Sequence, residues 1–115
     1  MPRQNNRVVQ AVIKVFNAKK QMTKKAILIP VEGEEQELTP KDGKYFSLEE
    51  MQKIVGGYIE IVGLGEGLVL VCNEEGKIDG KSLPNARATK VWQKHYGATD
   101  VIYGDVLVCD YSFIE

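Results

Sequence analysis

Four short apolar runs set the terms on which this chain folds: A-I-L-I at 26–29, Y-I-E-I-V at 58–62, L-V-L-V-C at 68–72 and V-L-V-C at 106–109. Each is rich in branched side chains and bounded by glycine, proline or charged residues. Such runs are too short for helices and read as strands. Pro30 marks an edge or a strand end, because proline has no amide to give to a ladder. Gly33 breaks the chain, and Glu35 to Leu38 is expected to pair back as a short second strand. G-L-G-E-G at 63–67 joins the second and third runs as a hairpin. Val101-Ile-Tyr103 is expected to be a further strand, bent at Gly104 into the last one.

Helices separate these strands. Ser47-Leu-Glu-Glu50 has the capping-box spacing, a hydroxyl at the cap and a carboxylate three residues on. It predicts a helix to about Val55 that buries Leu48, Met51, Ile54 and Val55 and ends at Gly56-Gly57. Asn85 opens a second helix over about 86–96, with Ala86, Ala88, Val91, Trp92 and Tyr96 as packing positions and Gly97 at its end. Residues 7–20 place Val8, Val9, Val12, Ile13, Val15 and Phe16 on one broad helical face, with Asn5 or Asn6 as cap. The many β-branched residues there leave a strand as the competing reading. A face this apolar needs cover from the domain, from a partner or from a second copy in a homodimer. The order α–ββ–α–ββ–α–β predicts one small α+β domain with a mostly antiparallel sheet, residues 25–115, behind a basic amphipathic arm, residues 1–24.

Composition narrows the function classes. A chain of 115 residues with 43% apolar and 27% charged residues is an ordinary globular domain. It has no apolar stretch of the roughly 20 residues that cross a bilayer. No secretory signal is read at the start, and a cytoplasmic location with reduced cysteines is expected. The net charge of −1 conceals an uneven distribution, +7 over residues 1–25, −5 over 26–60 and −3 over 61–115. Arg3, Arg7, Lys14, Lys19 and Lys20 of the arm are candidate partner contacts, by themselves or folded back on the acidic body.

Reactive groups are few. His95 is the only histidine and Cys72 and Cys109 the only cysteines, so neither a metal site nor a cofactor is expected. A nucleophilic site would require one of the thiols to meet His95 and an acid such as Asp100, and nothing in the spacing brings them together. A disulfide between Cys72 and Cys109 stays open. The glycines at 63–67 lead into a strand rather than a helix, and G-K-S at 80–82 lacks the earlier glycine of a phosphate loop. The polar residues instead gather at 72–90, C-N-E-E-G-K-I-D-G-K-S-L-P-N-A-R-A-T-K. Asn73, Lys77, Lys81, Asn85, Arg87 and Thr89 surround a strand-to-helix crossing, where helix amides suit an anion. A turn, a helix cap and solvated charges explain the same residues equally simply.

Several segments, K-A-I-L-I-P-V-E-G at 25–33, I-V-G-G-Y-I-E at 54–60, L-V-L-V-C-N-E-E-G-K at 68–77, L-P-N-A-R-A-T at 83–89 and D-V-I-Y-G-D-V-L-V at 100–108, occur in order. In these the chain resembles the family known as domain of unknown function 3846, found in phages and bacterial mobile elements. The resemblance implies phage or prophage biology and no established activity. Its members begin near Met22, which leaves residues 1–21 as an added arm or an upstream start. The leading expectation is therefore a non-enzymatic binding protein that inhibits a host defence protein or complex, of anti-CRISPR or anti-restriction type. The alternative is a module that sequesters a nucleotide signal through the 73–89 crossing, with Tyr58 or Trp92 stacking a base. Nucleic-acid binding by the arm is a third option.

Overall fold

A strand made wholly of apolar residues is stable only when both of its faces are covered, because successive side chains point to opposite sides. The computed structural model, which describes residues 25–114, meets this demand with a helix on each side of one sheet. The elements are β1 (Ala26–Ile29), β2 (Gln36–Glu37), α1 (Leu48–Val55), β3 (Ile59–Gly65), β4 (Leu68–Asn73), α2 (Ala86–Tyr96) and β5 (Val106–Asp110). A short 3-10 turn, Tyr111–Phe113, follows. Every neighbouring pair of strands is antiparallel, in the spatial order β2-β1-β5-β4-β3. The domain is therefore α+β. The basic arm, residues 1–24, and the helix expected within it lie outside the described residues.

The alternation sorts the side chains into two cores. Ile27, Ile29, Leu70, Cys72, Val106 and Val108 face α2, where they meet Ala88, Val91 and Ile102. Ala26, Val69, Val71, Leu107 and Cys109 face α1, where they meet Phe46, Met51 and Val55. β5 sits between β1 and β4, pairing Val106 with Ile29 and Val71 with Leu107, so the middle of the sheet is its most enclosed strand. β3 and β4 turn at Glu66-Gly67, both with positive φ, as a tight hairpin whose twist suits the strands.

Helix α1 starts as its sequence requires. Ser47 Oγ accepts from the Glu50 amide at 3.1 Å, and the Glu50 carboxylate accepts from the Ser47 amide at 2.8 Å. Gly56 ends it in the left-handed conformation, its amide donating to the Gln52 carbonyl. Met51 and Val55 are buried as expected and Ile54 partly so, but Leu48 is exposed. Phe46, just before the cap, fills the core there instead, packed edge-on against Phe113 with ring centres 5.6 Å apart.

Helix α2 has the expected bounds, with Ala88 and Val91 buried and Trp92 packed on their cluster. Ala86 and Tyr96 are exposed, and Thr89 takes a buried place. Val101–Tyr103 does not form a strand. Its backbone is claimed by α2: Ile102 donates to Thr89 Oγ1 at 2.9 Å and its carbonyl accepts from the Asn85 amide at 2.8 Å. Only Tyr103 makes a single bridge, to Pro84.

Asn85 carries more than a cap. It is 0% exposed; its Oδ1 accepts from the Ala88 amide, and its Nδ2 donates to the carbonyls of Ile29 and Gly104, all at 2.9 Å. Replacing it by alanine removes three bonds and strands two buried carbonyls, so Asn85→Ala is expected to lower unfolding stability by about 2–4 kcal/mol. Ser47→Ala, which removes an ordinary cap, is expected to cost about 1 kcal/mol. Urea unfolding of the two variants reads the difference.

Candidate functional site

The loop from β4 to α2 is built by its own polar residues. Asn73 Oδ1 accepts from the Glu75 amide at 2.8 Å, which turns the chain, and its Nδ2 donates to the Val55 carbonyl at 3.3 Å, which fastens the loop to the end of α1. Gly57 lies so close that a Cβ there would sit 2.9 Å from Asn73 Nδ2. Next, the Glu75 carbonyl accepts from the amides of Ile78 and Asp79. The Asp79 carboxylate accepts from the Ser82 hydroxyl at 2.6 Å and from the amides of Lys81 and Ser82, bonds that hold its carboxyl below the usual range.

Between this loop and the end of α1 lies an open cleft of about 300 Å³. Gly56 and Gly57 line it, as do Asn73 and Asp79, whose side chains are occupied by the bonds above. The side chains of Gln52, Tyr58, Glu75 and Lys81 also line it, with no hydrogen-bond or ion-pair partner among the described residues. Tyr58 is 65% exposed. The cleft thus offers an aromatic face, an amide, two carboxylates, of which Asp79 is already bonded, and one ammonium that acts on Asp79, a set suited to a small polar ligand carrying both donor and acceptor groups. A second, larger cleft of about 730 Å³ runs beside α1, with Leu38, Phe46 and Ile54 in its floor and Lys41, Glu49 and Lys53 on its rim.

The six residues read from the sequence as an anion site are spread over different tasks. Asn73 and Lys81 face the cleft. Lys77 lies outside it in an exposed ion pair with Asp100, whose carboxyl the ammonium holds below its ordinary value. Asn85 and Thr89 are buried in bonds to the backbone. Arg87 pairs with Glu35 and also donates to the Pro30 carbonyl, tying α2 to the end of β1. Glu75, whose charge already spoke in the sequence against a bare phosphate, faces the cleft too, and so do Gln52 and Asp79, which the sequence did not single out; the α1 stop at Gly56 and the Asn73 turn bring the two segments together. Arg3, Arg7, Lys14, Lys19 and Lys20 lie outside the described residues.

The thiols are kept apart. Cys72 faces the α2 core and Cys109 the α1 core, on opposite sides of the sheet, and both are free. Burial pushes each up to about 12, away from the thiolate form. His95 is exposed near the end of α2, its ring edge-on to Tyr96 and beside Gly65. Among the described residues no group of three His, Cys, Asp or Glu side chains is placed to hold a metal ion.

A family model described as domain of unknown function (DUF3846) matches residues 22–112. The chain belongs to that family. The match spans both cores, the cleft and every segment on which the resemblance rested, and it begins at Met22. No curated protein and no solved structure matches the chain. Among the described residues no helix is long and apolar enough to cross a membrane.

Two outcomes follow from the bonding. Arg87→Ala is expected to lower stability by about 1–2 kcal/mol, a loss read by urea unfolding, because the side chain is mostly enclosed and holds two partners. Asp79 and Glu50 titrate below their ordinary values in the folded state, Glu50 because the amides of Ser47 and Lys41 donate to it. The unfolded chain therefore binds more protons, and the stability these carboxylates confer is present above about pH 4 and lost as pH falls through the lowered values. Melting temperature against pH should fall on that acid limb, and less steeply in Asp79→Asn than in the wild type.

Proposed function

We propose that this domain is a non-enzymatic binding protein whose acidic surface engages a basic groove on a protein or complex. In the phage or mobile-element setting that the resemblance implies, the partner is a component of a host defence system in the bacterial cytoplasm, inhibited by occupation. The charge on the described fold is the observation that carries this reading. Residues 25–114 hold fifteen acidic and nine basic side chains. Three of each sign pair with one another, Lys25 with Glu37, Lys77 with Asp100 and Arg87 with Glu35, and the excess of six acidic groups, fifteen less nine, is unchanged by the pairing. Glu32, Glu34, Glu49, Glu60 and Glu74 stand exposed on a scaffold cored on both sides. Fixed carboxylates of this kind imitate phosphates toward a basic surface and speed the encounter. The buried, fully protonated thiols support a role in holding rather than transforming.

The tagged chain, incubated with lysate of a bacterium that carries defence systems, is expected to retain a specific protein at about micromolar affinity or tighter and to inhibit its activity. Joint replacement of Glu32 and Glu34 by lysine is expected to weaken the complex about tenfold or more, as is raising the salt. Absence of any specific partner at micromolar concentration rejects the reading.

A second reading has its own observation, the four side chains around one cleft, Gln52, Tyr58, Glu75 and Lys81, that make no hydrogen bond or salt bridge among the described residues. It makes the domain a sequestering module for a small nucleotide, with Tyr58 against the base, Gln52 and Glu75 at its polar edge and Lys81 toward phosphate. Calorimetry with cyclic and linear nucleotides should then show binding that Tyr58→Ala and Lys81→Ala abolish, while the melting temperature moves by less than about 2 °C. No heat with any nucleotide ends this reading and leaves the first intact.

A further inference from the structure

The two edges of the sheet are treated differently. β2 is two residues long, exposed, and preceded by Glu32, Glu34 and Glu35, the short charged form in which sheets end safely. β3 runs for seven residues, with Glu60 its only charge.

The direction of the β3 backbone follows from its register. Glu74 donates to the Tyr58 carbonyl at 2.8 Å, and Ile59 faces Asn73 next in the ladder. Antiparallel pairs alternate, so Tyr58, Glu60 and Val62 exchange bonds with β4 while Ile59, Ile61 and Gly63 turn their amides and carbonyls outward. The Gly63 carbonyl bears this out, since it accepts from the Tyr96 hydroxyl at 2.6 Å from beyond the ladder. No bond from a loop or cap of the described residues reaches the outward groups of Ile59 and Ile61. Beside them Ile61 is 39% exposed.

We propose that this edge pairs with β3 of a second copy, antiparallel about a twofold axis through Ile61. The strand is complementary to itself in that register. Ile61 meets the second copy's Ile61, Ile59 meets its Gly63, and Glu60 lies opposite its Val62. Moving the axis to Glu60 sets two carboxylates face to face, which destabilises a cross-strand pair. Moving it to Ile59 calls on Gly57, whose amide already donates to the Gln52 carbonyl. The Glu60 charge thus disfavours one neighbouring register and the Gly57 bond the other, and the Gly63 carbonyl keeps a second lone pair for the incoming amide. The contact is isologous and closed, so it stops at two copies.

The test uses the full chain. Sedimentation equilibrium over increasing concentration is expected to show a reversible dimer. Ile61→Lys puts like charges on the axis and should weaken that dimer about a hundredfold, with little change in melting temperature because the residue is half exposed. Ile61→Cys should cross-link into a dimer under mild oxidant, because directly opposed residues of a bonded pair lie about 5.5 Å apart at Cα, within disulfide reach. A monomer at every concentration overturns the proposal, as does a dimer indifferent to Ile61→Lys or an Ile61→Cys variant that stays uncross-linked. Slow hydrogen exchange of the Ile59 and Ile61 amides in a monomer would assign the edge to the chain's own residues and overturn it equally.

Discussion

One buried amide holds the architecture together. Asn85 reaches the end of β1, the turn before β5 and the first turn of α2, and all three places are remote from one another in sequence. An amide has two donors and an acceptor oxygen, and this one spends both donors and its oxygen on backbone groups that water cannot reach. No other side chain of similar volume supplies that set: leucine offers nothing, and aspartate would bring a charge into a dry core and offer no donors. With α2 fixed by this contact, Thr89 is in place to hold Ile102 and Arg87 to grip Pro30. The helix, the central strand and the β1–β2 connection are positioned together.

The sequence was legible where local chemistry decides structure. The capping box at Ser47, the stops at Gly56 and Gly97 and the Asn85 cap all depend on residues within one turn, and the structure has them as read. It was less legible where a residue serves two ends. Asn85, Arg87 and Thr89 have the chemistry of an anion site and of a fold clamp alike, and what separates the two is the identity of partners 13 to 57 residues away. The same cause explains Val101–Tyr103, whose β-branched residues suit a strand but whose amide and carbonyl at Ile102 are already engaged by α2. The cleft was hidden for a related reason. The β3–β4 hairpin brings Asn73 beside the end of α1, but the bond from Asn73 to the Val55 carbonyl and the Asp79 turn that shape the cleft wall depend on side-chain partners that the hairpin alone does not specify.

The two-sided core also bears on function. A sheet covered on both faces commits its strands to two cores, and the large apolar side chains left open include Leu48 at the start of α1, Ile61 on β3 and Ile78 and Leu83 in the loop before α2. The thiols illustrate the division: each sits in a different core, protonated and walled off, serving as packing.

The position of β5 has a consequence for how the molecule comes into being. The middle strand of the sheet is supplied after the other four, so the hairpin of β1 with β2 and the hairpin of β3 with β4 are synthesised with no ladder between them. Neither core can close during translation until Val106–Asp110 has left the ribosome, and assembly of the native sheet is therefore a late, largely all-or-none event dominated by long-range pairing.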